Sequence, residues 1–340
     1  MSLINIFKKD PLQIITFQSY GTDTHLYARG RALEDEQIDL NKNSWWHLLI
    51  NSWKRFETDE IKHTELNLKL EDNSIYKVKT NHRGYFTIDE PSGNLKSLCN
   101  EEGWLSYEMA YDNVNIVHKI TSENRFPGQV LIPKDDSEFG VISDIDDTIL
   151  HTGVVSFLKW RVFFNTFFIN TQNRTPLKGA AEFYHLLHHG KSGENANPIF
   201  YVSHSPWNLY RYLEFFLRHN NFPKGPILLR DFPKPFSHQE LQREKPQKQH
   251  EILNILKMYP QLDFILIGDS GEKDADIYLE IAHLYPKRIK AIYLRSVNHQ
   301  KKIERIKTLI GKHEEQLPIL LVENSKQAID HAKAHGFIAS

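Results

Sequence analysis

Apolar residues repeat with one period before residue 138 and with another after it. Between residues 20 and 132 they alternate with polar residues, as in TELNLKLED, SIYKVKT and WLSYEMAY. A period of two, interrupted by turn sequences such as NHRG, is typical of antiparallel strands. The pattern predicts an N-terminal β-rich, sandwich-like domain over residues 1–137. One helix is expected within it at residues 45–56, where large apolar side chains recur at spacings of three and four.

Beyond residue 138, short apolar runs alternate with helical patterns, which is typical of an α/β domain. The predicted strands are residues 139–145, 198–203, 226–231, 263–269, 289–295 and 318–324. The predicted helices are residues 179–189, 206–219, 246–258 and 326–335. Continuous apolar strands of this kind indicate a parallel sheet covered by helices on both faces. The second domain is therefore predicted at residues 138–340, after a linker with the sequence PKDDSE.

Composition excludes several classes of protein for this sequence. With 340 residues, 40% of them hydrophobic, the chain is long enough for two domains with separate cores. A net charge of -1 gives no overall attraction for nucleic acid, which is not an expected partner. The single cysteine, Cys99, excludes an intrachain disulfide and a cysteine-rich zinc site. Because no window holds the roughly 18 apolar residues of a membrane-spanning helix, we expect a cytoplasmic protein.

Acidic residues follow two of the predicted parallel strands. Asp144 and Asp146 end the first strand, and Asp269 and Asp274 follow the fourth. The carboxyl ends of parallel strands form the edge at which α/β proteins bind ligands. Any one aspartate there could simply cap a helix or a turn. Carboxylates gathered from two strands instead indicate a hard divalent cation, and Mg²⁺ is the usual choice where phosphate is also bound.

A phosphate site is expected beside these carboxylates. Ser203 ends the second predicted strand, and Ser205 with Pro206 has the pattern of an N-cap and a first helical position. Backbone N–H groups at such a helix start bind anions well. A lysine would supply further positive charge, and the candidates are Lys245 and Lys248.

Three sequence phrases carry a resemblance to a known family. DIDDT at residues 144–148 resembles the DxDxT signature of haloacid-dehalogenase superfamily phosphatases. The phrases FGVISDIDDTI, FYVSHSPWNLY and FILIGDSGEKDADIY closely resemble one branch, the actin-patch-protein family of Mg²⁺-dependent phosphatidate phosphatases. The resemblance covers residues 125–300 well and the N-terminal part loosely. It implies a haloacid-dehalogenase-like (HAD-like) Rossmannoid fold with a small aromatic cap at residues 151–178.

The same resemblance implies a role for each acidic residue. Asp144 would be the nucleophile that forms an aspartyl-phosphate, and Asp146 would be the general acid and base. Asp144, the main-chain carbonyl of Asp146, and Asp269 would hold Mg²⁺, while Asp274 would hold a water bound to the metal. The residues implied to bind the phosphoryl oxygens are Thr148, Ser203 and Lys248.

The chain departs from that family at two positions. Gln247 stands where the family commonly has a histidine before its lysine, and the spacing to the following Tyr-Pro favours Lys248 over Lys245. His204 stands where family members often carry a second serine. A structural role and a substrate contact are both open for His204.

An aromatic segment, SFLKWRVFFNTFFIN at residues 156–170, follows the nucleophile strand. If it is helical, its aromatic side chains share one face. They are Phe157, Trp160, Phe163, Phe164, Phe167 and Phe168. The face either packs on the neighbouring domain or forms a lid that grips acyl chains or enters a membrane surface.

The resulting hypothesis is a Mg²⁺-dependent phosphatidate phosphatase that releases diacylglycerol at a membrane surface. A phosphatase for a small soluble or nucleotide phosphate is the first alternative. A noncatalytic lipid or protein adaptor with a phosphatase fold is the second.

Overall fold

The computed structural model describes residues 11–34, 60–112, 119–145, 179–194, 196–230, 247–270, 274–296, 300–311 and 318–339. The chain divides into two compact units. The first comprises Met1–Pro133 with Asn208–Phe215, and the second comprises Lys134–Trp207 with Phe216–Ser340. The predicted helix at residues 45–56 lies outside the described residues. A domain boundary at residues 137 and 138 stays a prediction.

The first unit contains a seven-stranded sheet. Its strands are β1 (Leu12–Thr22), β2 (His25–Glu34), β3 (Glu65–Leu70), β4 (Ile75–Lys79), β5 (Tyr85–Pro91), β6 (Trp104–Tyr111) and β7 (Phe126–Leu131). Their order across the sheet is β4-β3-β6-β7-β1-β2-β5. Neighbouring strands are antiparallel, except β1 and β7, which are parallel. The predicted β-rich character is therefore confirmed.

Alternating burial explains why most of these strands were recognisable from sequence. In β3, Leu66 and Leu68 are fully buried while Glu65 and Lys69 are exposed. Each leucine buried in this way stabilises the unit by about 1.5–3 kcal/mol. β1 lacks such alternation because eight of its eleven residues are buried, including neighbours on opposite faces, and the sequence pattern does not predict it.

The seven strands share one apolar core, to which both edges of the sheet contribute. The two edge strands also approach each other, since Tyr76 Oη lies 2.5 Å from Ser92 Oγ beside the end of β5. The sheet is thus strongly curled. A sandwich with two distinct layers stays a prediction.

The second unit contains a six-stranded sheet, five of the described helices and the second half of a sixth. Its strands are β8 (Gly140–Asp144), β9 (Ile199–Pro206), β10 (Ile227–Arg230), β11 (Phe264–Asp269), β12 (Ile289–Arg295) and β13 (Ile319–Val322). The described helices of the chain are α1 (Ala180–His189), α2 (Tyr210–His219), α3 (Gln247–Met258), α4 (Asp274–Leu284), α5 (Gln300–Gly311) and α6 (Ser325–Ala334). The first half of α2 belongs to the first unit.

The strands of this sheet lie in the order β10-β9-β8-β11-β12-β13, and every neighbouring pair is parallel. The predicted α/β class with a parallel sheet is confirmed. Every residue of β8 and β11 is buried, as expected for central strands covered on both faces. Because β8 and β11 are neighbours, the residues that follow their carboxyl ends lie together.

One helix prediction needs revision, and two helices of the second unit were not predicted. The helix expected from residue 206 begins at Tyr210, because β9 continues through Pro206 and a short 3-10 turn, Trp207–Leu209, follows it. Helices α4 and α5 were not predicted. In α4, Asp274 and Tyr278 are buried among the apolar residues, which weakens the apolar periodicity. No helix among the described residues is long and apolar enough to cross a membrane.

Candidate active site

Three aspartates of the second unit converge at the carboxyl edge of the parallel sheet. Asp144 ends β8, Asp269 ends β11, and Asp274 begins α4. One carboxylate oxygen from each lies within 4.8 Å of the others, and all three residues are fully buried. Buried carboxylates repel one another strongly unless cations compensate their charge. The cluster is therefore suited to hold positive charge.

Lys248 supplies part of that charge from the start of α3. Its Nζ donates a hydrogen bond of 2.7 Å to Asp144 Oδ1 and another to Asp274 Oδ1. Burial alone would lower the pKa of Lys248, but the adjacent charges of Asp144 and Asp274 raise that pKa well above its ordinary value. The lysine is thus an ammonium ion. With three carboxylates and one ammonium, the cluster carries a formal charge of -2.

Gly268 allows Asp274 to approach the end of β11. A Cβ atom at residue 268 would lie 2.6 Å from Asp274 Oδ2 and 2.8 Å from a ring carbon of Tyr278. The backbone N–H of Asp269 donates to the same Asp274 oxygen over 3.4 Å. Tyr278 is held in turn, because its hydroxyl donates to the carbonyl of Ile267 at 3.0 Å. A glycine before Asp269 is therefore needed to bring the two acids together.

Ser203 lies near the end of β9, which pairs with β8. Asp144 is in register with Val202, so Ser203 is one residue beyond the nucleophile candidate on the neighbouring strand. Its Oγ accepts the backbone N–H of Ser205 at 2.9 Å. The expected N-cap at Ser205 with Pro206 in the first helical turn is wrong, since these residues extend β9. His204 is half-buried between Ser203 and Ser205, which are both buried.

A pair of hydroxyl groups next to Asp144 is not predicted from sequence. Ser143 Oγ donates to the main-chain carbonyl of Asp144 at 2.8 Å and lies 2.5 Å from Tyr184 Oη. Because the one Ser143 proton is used in the first bond, Tyr184 donates in the second. Burial raises the pKa of Tyr184, which keeps that proton in place. The signal in the sequence was a hydroxyl residue inside an otherwise apolar strand.

Several predicted site residues lie outside the described part of the chain. They are Asp146, Thr148, Trp160, Phe163, Phe167 and Lys245. The structure does bring together Asp144, Lys248, Asp269 and Asp274, which come from four separate elements. Their sequence-predicted roles stay proposals.

Comparison with known proteins identifies what the second unit is similar to. Residues 139–296 match the family model described as "Phosphatidate phosphatase APP1, catalytic domain". The phosphatidate phosphatase APP1 of Saccharomyces cerevisiae is 38% identical over 156 residues, which are 46% of this chain and 25% of that protein. An uncharacterized protein of Schizosaccharomyces pombe is 28% identical over 235 residues, covering 69% of this chain and 36% of that protein. The resemblance stated from the sequence is confirmed for the catalytic domain.

The matches are partial in length. The chain spans about a quarter of the one relative and about a third of the other. Among solved structures, a carbohydrate esterase reaches a TM-score of 0.24 at 11% identity, covering 91% of this chain and 98% of that one. A similarity this low supports no conclusion about the fold.

Proposed function

We propose that this chain, whose residues 139–296 match the APP1 catalytic domain, is a Mg²⁺-dependent phosphatase that converts phosphatidate to diacylglycerol and phosphate. One observation carries the proposal: the matched region contains a buried cluster of three carboxylates and a lysine at the carboxyl edge of a parallel sheet. On this proposal the second unit is a HAD-like domain, with helices on both faces of its sheet and a cap at residues 151–178.

Asp144 is the proposed nucleophile. One of its carboxylate oxygens attacks phosphorus, the bond from phosphorus to the lipid oxygen breaks, and an aspartyl-phosphate results. Lys248 orients this carboxylate through Oδ1 and favours its charged form. The Ser143 hydroxyl bonds to the main-chain carbonyl of Asp144 and limits movement of the strand end. The nucleophile is therefore held from its side chain and from its backbone.

Asp146 is the proposed general acid and base. It protonates the departing lipid oxygen, and then takes a proton from the water that hydrolyses the aspartyl-phosphate. Thr148, Ser203 and Lys248 bind the phosphoryl oxygens as their charge redistributes. His204 is a further candidate for a substrate contact, because it is half-buried beside Ser203. The cycle consumes one water and restores both aspartates.

The site is suited to Mg²⁺. The buried oxygen ligands and the net formal charge of -2 match a small divalent cation that prefers oxygen. Asp144, the main-chain carbonyl of Asp146, and Asp269 would hold it, with Asp274 binding through a water. When bound, the cation would neutralise phosphate charge and so let an anionic carboxylate approach.

A lipid substrate is proposed on two grounds. The yeast relative is a phosphatidate phosphatase by name, and the 156–170 segment is rich in aromatic residues, which suit contact with an acyl chain or a membrane surface. We propose a cytoplasmic protein that works at the surface of a membrane. Trp160, Phe163 and Phe167 are the proposed lid residues.

A phosphate-release panel tests this proposal. The substrates are phosphatidate in mixed micelles, lysophosphatidate, glycerol phosphate and nucleotides, each with Mg²⁺ and with EDTA. We expect the highest rate for phosphatidate with Mg²⁺, and its loss in Asp144→Asn. Faster release from soluble esters would instead favour a phosphatase for small substrates. A parent protein inactive on every substrate would favour a noncatalytic adaptor.

A further inference from the structure

A cavity of about 500 Å³ lies in the first unit, mainly on the face of its sheet that is turned away from the apolar core. In β6, Ser106 and Glu108 line the cavity and alternate with the core residues Leu105, Tyr107 and Met109. The other lining residues come from β1, β3 and the turn after it, β7 and the first half of α2, all within this unit. Small-molecule sites have volumes of about 300–1,000 Å³, so the cavity is large enough for a ligand.

The cavity lies where β1 and β7 separate. The residue pairs between these parallel strands lie near their carboxyl ends: Ser19 with Val130 and Tyr20 with Leu131. Before those pairs a side chain bridges the strands, since Thr16 Oγ1 donates to the carbonyl of Pro127 at 2.5 Å. Gln18 and Gln129 line the cavity from the two strands. Backbone polar groups along such a gap need partners from side chains, water or a ligand.

Helix α2 contributes a hydrogen-bonded group of side chains to this gap. Tyr210 Oη accepts the backbone N–H of Gln18 at 2.7 Å and donates to Glu214 Oε1 at 3.2 Å. Gln18 Nε2 donates to the same carboxylate oxygen at 3.3 Å. Because Tyr210 is buried, these bonds keep the amide and the carboxylate in fixed positions. The cavity is therefore preorganised, which lowers the free-energy cost of binding.

The charges that line the cavity balance one another. The lining contains three basic and three acidic residues: Lys69, Arg125 and Arg211, with Glu71, Glu108 and Glu214. The Arg125 guanidinium donates to both carboxylate oxygens of Glu108, over 2.6 and 3.0 Å, and Arg211 lies 3.5 Å from Glu214. A lining without net charge gives an ion of either sign no advantage. It therefore favours a polar ligand that is itself neutral.

We propose that this cavity binds a neutral cyclic polyol, such as a sugar of one or two rings. Neighbouring ring hydroxyls both donate and accept hydrogen bonds, and carboxylate, amide and guanidinium groups offer matching acceptors and donors. The C–H faces of such a ring suit the small apolar surfaces of Leu70 and Pro127. A peptide would instead rely on aromatic or aliphatic anchors in apolar pockets, whereas the described lining residues are mainly polar.

Titration calorimetry with the full chain tests the proposal, with glucose, maltose, cellobiose and myo-inositol as probes. We expect saturable binding of at least one of them, with a dissociation constant that changes less than about twofold between low and high salt. Glucuronate, the anionic counterpart of glucose, should bind no more tightly than glucose. In Ser106→Phe the dissociation constant should rise about tenfold or more, because the new ring would occupy the cavity.

Ala110→Phe is the matched control. Ala110 lies on the outer side of the same strand, four residues beyond Ser106, and does not line the cavity. This variant should keep the affinity of the parent. If circular dichroism shows that Ser106→Phe folds poorly, Gln129→Ala replaces it, with an expected rise of about twofold to tenfold in the dissociation constant for one lost hydrogen bond.

The proposal would be overturned if none of the neutral probes bound, or if glucuronate bound more tightly than glucose. Parent-like affinity in folded Ser106→Phe and Gln129→Ala would also overturn it. So would an equal loss of affinity in Ala110→Phe, because the bound sugar would then lie outside the cavity. The inference does not depend on the proposed function, since no lining residue belongs to the candidate active site.

Discussion

Lys248 joins two aspartates that are far from it in sequence: Asp144 is 104 positions before it and Asp274 is 26 positions after it. All three side chains are fully buried. Lys248→Met should lower the free energy of unfolding by about 3–5 kcal/mol, because it leaves buried carboxylates without their cation. Urea unfolding in the presence of EDTA measures this change in the free energy of unfolding. Phosphate release by the variant should be lost as well.

Lys257→Met is the matched control, since Lys257 is exposed on the same helix. A surface replacement of this kind should change the unfolding free energy by less than about 0.5 kcal/mol. Equal effects of the two variants would show that the buried ion pairs do not hold the site together.

Gly268→Ala should separate Asp274 from Asp269. The added methyl group would lie 2.6 Å from Asp274 Oδ2, so the acid or the strand must move. We expect a loss of about 1–3 kcal/mol in stability, together with a smaller rise in melting temperature on adding Mg²⁺. Gly93→Ala is the control, because a Cβ there meets nothing within 4 Å. A parent-like response to Mg²⁺ in Gly268→Ala would contradict the expectation.

Ser143 and Tyr184 should be energetically coupled. Ser143→Ala leaves the Tyr184 hydroxyl buried without its acceptor and should cost about 1–3 kcal/mol, whereas Tyr184→Phe should cost about 0.5–1.5 kcal/mol. A double-mutant cycle measured by urea unfolding gives the coupling free energy between these two side chains. Because the pair acts on the backbone of Asp144, kcat should fall more than KM rises. Additive effects of the two changes would argue against the hydrogen bond.

Cys99 should react slowly with thiol reagents. Burial, and then the nearby charge of Asp23, raise the pKa of its thiol to about 11. Near pH 8 only about one thiol in a thousand is then ionised, against roughly a quarter in the unfolded chain. Labelling should be about 250-fold slower than in concentrated urea, in proportion to these ionised fractions, and the rate should increase up to about pH 11. Equal rates in the folded and unfolded chains would refute this.

The aromatic segment should contribute to membrane binding. A Phe163→Ser/Phe167→Ser double variant removes two aromatic rings from the proposed lid face. Partition into liposomes containing phosphatidate should weaken several-fold, since burial of each ring contributes favourably. Circular dichroism checks that the variant folds. Unchanged liposome binding by a folded variant would favour packing of this face within the protein.

Much of the second unit could be predicted because its signals are local. β8 and β11 are continuous apolar runs, and each ends in an aspartate that marks the edge of the sheet. The start of α2 could not be placed, because the Ser-Pro pattern of a helix start was overridden by pairing of β9 with β10 up to Pro206. β1 was missed because its burial on both faces removes the alternation that marks a strand.

The amino-acid sequence alone indicates the α/β class and the aspartates at the carboxyl edge of the sheet. Both can be recognised because apolar periodicity and strand ends are visible over a few neighbouring residues. The tertiary structure decides which groups meet there. It brings Lys248 to Asp144 and Asp274, and it places Tyr184 against Ser143 across 41 positions. It also leaves a cavity of about 260 Å³ between α1, α6 and the sheet. Such contacts depend on how distant elements pack, and packing leaves no local pattern in the chain.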